Sequence, residues 1–65
     1  MADTHAGGVA GLYEAFATDG LNHPWTTWSQ ETVAGLITVT VGKPDGSREV
    51  WRNTVAAPLT FAKQP

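Results

Sequence analysis

The chain contains no cysteine. That one absence excludes disulfides, thiolate zinc sites and thiol nucleophiles together. Histidine is almost as scarce, with His5 and His23 alone, and two imidazoles without a nearby third donor make a poor metal site. Positive charge is sparse too. Four Lys and Arg stand against six carboxylates, for a net charge of −2. Lys43, Arg48 and Arg52 fall close together, but three cations are too few for an autonomous nucleic-acid surface, where phosphate neutralisation dominates affinity. The carboxylates are equally too sparse for a nucleic-acid mimic. No apolar run approaches the ~20 residues a membrane helix needs. The opening MADTHAGGVAG has neither the basic start nor the apolar core of a secretory signal. The expectation is a chain without cofactor or metal, with no membrane segment and no nucleic-acid partner, placed in the cytoplasm or in a virion.

Sixty-five residues make one small domain, residues 1–65. A domain this size buries only about 60% of the surface its unfolded chain exposes. Small domains usually add disulfides, a metal or a partner. With cysteine absent and histidine scarce, a protein partner or self-association becomes the expected supplement.

The most legible element is residues 36–55, LITVTVGKPDGSREVWRNTV. Two β-prone runs meet at Lys43-Pro44-Asp45-Gly46. Proline presets the first corner of a type I turn, aspartate suits the second, and Gly46 supplies the left-handed residue after them. This predicts a three-residue hairpin loop ending in a glycine bulge. Lys43 would face Ser47, Val41 would face Glu49, Val39 would face Trp51 and Ile37 would face Asn53. One face then carries Ile37, Val39, Val41 and Trp51, with Glu49 near the tip. The other carries Thr38, Thr40, Val50 and Arg52. A slip of one residue would mix the apolar set with Arg48 and Arg52, so the pattern favours the bulged register.

Upstream, Val9, Leu12, Tyr13 and Phe16 recur at helical spacing, which predicts an amphipathic helix over 9–19 after a flexible start at 1–8. Gly11 weakens such a helix by about 1 kcal/mol unless close packing needs it. Gly20 is expected as a left-handed cap. Pro24 suits the first position of a short helical turn over 25–31, with Trp25 and Trp28 on one face. In the extended alternative, the two indoles would point to opposite faces. After the hairpin, Pro58 interrupts an apolar stretch, so residues 56–65 read as an extended arm or edge strand, with Leu59 and Phe61 alternating. The expected fold class is therefore α+β: a minimal module of one short helix packed on the hairpin, with an extended C-terminal arm.

No catalytic constellation accompanies this fold. Asp19 and His23 are the nearest acid–imidazole pair, but Gly20 and Pro24 break any helix that would align them. Asp3 and His5 lie in the glycine-rich start. Ser29 and Ser47 have no positioned base beside them. The chain reads as non-enzymatic.

Aromatics carry what functional signal there is. Three tryptophans in 65 residues exceed what so small a core fully buries, and tryptophan is enriched at interface anchors. The candidate partner-binding residues are Trp25, Trp28, Trp51, Arg52, Leu59 and Phe61. The hairpin also has two edges, and the 55–61 segment can cover only one, leaving the other for strand addition. The leading expectation is a protein–protein interaction or assembly subunit, with a bacteriophage or virion accessory component as its concrete form. A module stacking a sugar or unpaired base on Trp25 and Trp28, with Arg52 nearby, is the alternative. A small inhibitor of a larger enzyme is a third.

Overall fold

A computed structural model describes residues 2–65. Its elements are β1 (Thr4–His5), α1 (Gly8–Thr18), β2 (Thr27–Val33), β3 (Leu36–Gly42), β4 (Arg48–Arg52) and β5 (Phe61–Lys63). The strands form a single antiparallel sheet in the order β1-β5-β4-β3-β2, and α1 joins its two outermost strands. The protein is α+β, a short helix on an antiparallel sheet.

The β3–β4 hairpin has the register its residues predict. Val39 faces Trp51 and Val41 faces Glu49. Lys43 N–H donates to Ser47 C=O at 2.9 Å and Gly46 N–H to Lys43 C=O at 3.0 Å, closing the bulged turn. Gly46 adopts φ 88°, a left-handed conformation that costs glycine nothing sterically. Asp45 Oδ1 accepts from Ser47 N–H at 2.8 Å and from its hydroxyl at 2.6 Å, tying the loop to itself. At the open end, the ladder is continued by a side chain. Ile37 N–H donates to Asn53 Oδ1 at 2.8 Å, and Asn53 Nδ2 reaches Pro58 C=O at 2.9 Å.

Because paired residues share a face, this register puts Val39, Val41, Glu49 and Trp51 on one side of the sheet. Leu12 and Phe16 of α1 close over that side, and Phe61 completes the core. Each such large apolar side chain contributes about 1.5–3 kcal/mol by leaving water. Val9, Trp25, Trp28 and Ile37 pack around the rim. Tyr13, on the same helical stripe, stays 46% exposed. Gly11 is required by close approach: a Cβ there would meet the Ala6 carbonyl oxygen at 2.6 Å.

Several expectations change. Residues 25–31 form no helical turn; β2 runs from Thr27 to Val33 and pairs with β3 along its whole length. The start at 1–8 is not a free tail over its described residues. Thr4 and His5 pair with β5, and Gly8 N–H donates to Leu59 C=O at 2.8 Å. Nor is the C-terminal stretch an arm or edge: β5 lies inside the sheet between β1 and β4. Pro58 does not interfere, because it sits in the turn before β5. Gly20 is not the helix cap. Asp19 ends α1 with φ −101°, and its carbonyl accepts from Asn22 and His23 N–H at 3.1 and 2.8 Å. Among the described residues, no helix is long and apolar enough to cross a membrane.

Candidate functional site

The sheet has one long open edge. Both edges of the β3–β4 hairpin are covered, by β2 on one side and β5 on the other. The free edge expected on that hairpin therefore falls on β2. The turn geometry tells which backbone groups it offers. Ala34 and Gly35 link β2 to β3 with φ 52° and 80°, the two positive values of a type I′ hairpin turn. Such a turn makes the flanking residues, Val33 and Leu36, a hydrogen-bonded pair. Alternation then bonds Glu31 to Thr38 and Ser29 to Thr40. Trp28, Gln30 and Thr32 consequently aim N–H and C=O away from β3. Among the described residues, nothing lies on that side to receive them.

Edges this long are normally protected by lysine, proline or a bulge. Residues 27–33, TWSQETV, contain neither lysine nor proline, and the seven β2–β3 pairs run without a bulge. Glu31 is the single charge, and it belongs to the face away from the helix.

An aromatic cluster flanks the edge. Trp28 stands on the helix side of β2, and Trp25 lies just before the strand. The two rings meet edge to face, with centroids 5.9 Å apart and planes 65° apart. Thus the extended chain does not send them to opposite faces, because Trp25 precedes the regular strand. Tyr13 meets Trp25 at 5.6 Å and Trp28 at 5.0 Å, and Phe16 lies beneath both. Trp28 Nε1 donates to Gln30 Oε1 at 3.1 Å. The indole planes are steeply inclined, so one flat sugar or base cannot lie against both.

A second polar group is buried under the hairpin tip. Glu49 is 3% exposed. Its carboxylate accepts from Trp51 Nε1 at 2.9 Å and Lys43 Nζ at 3.0 Å. His23 Nε2 lies 3.0 and 2.8 Å from its two oxygens, and carries the shared proton because a carboxylate only accepts. Burial alone would push the Glu49 carboxyl up. Hydrogen bonds from Lys43, His23 and Trp51, with the His23 charge, more than offset this and hold it below its ordinary value. His23 is therefore not paired with the Asp19 side chain; its backbone N–H caps the turn while its ring serves Glu49. Asp3 and His5 likewise form no pair: Asp3 C=O receives Lys63 N–H at 2.8 Å, and His5 packs on Trp51 at 5.8 Å.

The six candidate residues do not form one surface. Trp25 and Trp28 come together beside the β2 edge. Trp51 and Phe61, at 1% and 0% exposure, are core residues and present nothing to a partner. Arg52 lies on the opposite face of the sheet, its Nε donating to Thr38 Oγ1 at 3.3 Å, so it is not near the two indoles. Leu59 is exposed in the turn before β5, where its carbonyl holds Gly8. Sequence reasoning missed Gln30, Thr32 and Tyr13 as flanking residues, and it missed the His23–Glu49–Lys43 group. The signal for the last was present, since the hairpin register already put a carboxylate on the apolar face.

The open recess beside that group is lined by Asn22, His23, Pro24, Lys43, Pro44 and Asp45. Each polar side chain in it is already engaged: Asn22 with Asp19, His23 and Lys43 with Glu49, and Asp45 with Ser47. Among the described residues, no group of three His, Asp or Glu side chains is arranged to hold a metal ion. Comparison with protein-family models, curated proteins and solved structures finds no match to this chain.

Proposed function

We propose that this protein is a non-enzymatic interaction or assembly subunit that docks by adding a partner strand to the open β2 edge. The observation that carries this reading is the unprotected run of outward N–H and C=O groups on Trp28, Gln30 and Thr32. Main-chain hydrogen bonds give such docking its affinity, and the side chains flanking the edge give it selectivity. Here the flank is the Tyr13, Trp25 and Trp28 cluster, with aromatic groups of the kind that dominate interface energetics. The polar side chains of the recess under the hairpin tip are tied up in structural hydrogen bonds, which favours binding over catalysis. A bacteriophage or virion accessory component is the concrete form of this proposal, resting on small size and composition.

The test is a comparison of tagged wild-type protein with Gln30→Pro, purified under identical conditions from the cells in which the chain is naturally expressed. Proline at this position removes an N–H that the fold does not use. Both proteins should give the same dispersed amide spectrum. Partners retained by the wild type and lost by the variant support strand addition. The same partners on both would remove β2 from the proposal.

A further inference from the structure

We infer that the strand added to the β2 edge is β2 of a second copy, antiparallel, with the two-fold axis through Gln30. This rests on the strand-addition reading and specifies its partner.

Three residues offer outward backbone groups, and Gln30 is the middle one. A two-fold at Gln30 sets Trp28 opposite Thr32 of the other copy, Gln30 opposite Gln30, and Thr32 opposite Trp28. Every outward N–H then meets an outward C=O, with hydrogen-bonded Cα pairs about 5.5 Å apart. Moving the axis by one residue in either direction leaves an end residue without a mate. Centring on Glu31 would also place two carboxylates directly opposite, which disfavours pairing. At Gln30, Glu31 faces Ser29 instead.

The side chains complement one another in the same register. Trp28 meets Thr32, an aromatic beside a β-branched residue, at both ends of the contact. Gln30 is self-complementary at the axis. Its Oε1 already accepts from Trp28 Nε1 at 3.1 Å, which fixes the direction of the amide. A second lone pair and both Nε2 hydrogens remain for Gln30 of the other copy, so two amides can exchange hydrogen bonds reciprocally. An isologous contact demands such self-matching, and a lone arbitrary strand would not supply it. Pairing also closes the one long unprotected edge and joins two small sheets into one continuous sheet.

Sedimentation equilibrium of the full chain, with amide hydrogen exchange on the same sample, tests this. A dimer is expected, with slowed exchange at Trp28, Gln30 and Thr32. Gln30→Pro and Gln30→Lys should each weaken it by about tenfold or more, through loss of a central donor and opposed charges at the axis. Dispersed amide spectra of both variants would show that the fold survives. A chain that stays monomeric at millimolar concentration overturns the inference, as does a dimer that both variants leave intact. The comparison of partners retained by wild type and by Gln30→Pro separates the two levels. If the chain is monomeric and Gln30→Pro loses the partners, strand addition stands and self-pairing fails. If the chain is monomeric and the variant keeps the same partners, both fail.

Discussion

Replacing Glu49 by Gln should remove about 2 kcal/mol of stability. Three donors converge on the carboxylate: His23 Nε2, Lys43 Nζ and Trp51 Nε1. An amide of the same shape keeps one acceptor and turns its NH₂ toward a donor. The remaining carbonyl serves Trp51 Nε1, the buried donor that cannot turn to water. Hydrogen bonds to a charged group contribute about 1.5–3 kcal/mol when buried. His23 and Lys43 keep 20% and 31% of their side-chain surface in water, so each loss is reduced toward about 1 kcal/mol. In a domain of this size, about 1 kcal/mol moves Tm by roughly 4–8 °C, giving a fall of roughly 8–16 °C.

The pH dependence gives a second, independent reading. The folded Glu49 carboxyl lies below its ordinary value near 4.5. Its contribution is therefore fully present above that value and is lost as pH falls through the lower folded one. Asp45 acts with the same sign, because the Ser47 hydroxyl and N–H hold its carboxyl below its ordinary value near 3.8. Subtracting the Glu49→Gln curve from the wild-type curve isolates the Glu49 contribution. Thermal unfolding followed by tryptophan fluorescence between about pH 3 and 7 measures both proteins. The difference should be largest near neutrality and shrink below about pH 4.5. Equal Tm at pH 7, or parallel curves down to pH 3, would refute the account of Glu49 as a paired, ionised carboxylate.

Two further substitutions test local geometry. Gly11→Ala should destabilise the protein by about 1–3 kcal/mol despite alanine's better helix propensity, because the new Cβ meets a backbone carbonyl that cannot rotate away; urea unfolding measures it, and a gain in stability would contradict the close approach. Ala34→Asn should stabilise by about 0.5–1 kcal/mol, since asparagine tolerates the positive φ that alanine holds at strain; an unchanged or lowered unfolding midpoint would argue against the type I′ turn.

The β3–β4 hairpin and the helix stripe were decided locally, and so could be read from the residues. Pro44, Asp45 and Gly46 specify one turn, that turn specifies one register, and the register sorts Val39, Val41 and Trp51 to one face beside Glu49. Leu12 and Phe16 at helical spacing had only that face to cover. Tertiary structure decided the rest. β2 leaves no alternating signature because it is an edge strand that half-buries Trp28 and leaves its other side chains exposed, while its turn uses alanine where asparagine or glycine would have announced a hairpin. β1 and β5 are only two and three residues long, too short for any period; β5 is held by pairing with both β4 and β1, and β1 by pairing with β5. Glu49 was visible as a carboxylate on an apolar face, but its partners His23 and Lys43 are brought to it by the turn after α1 and by the hairpin loop. The free edge falls on β2 because β2 lies along β3, the hairpin edge that β5 leaves open, a pairing that the exposed residues of β2 do not announce.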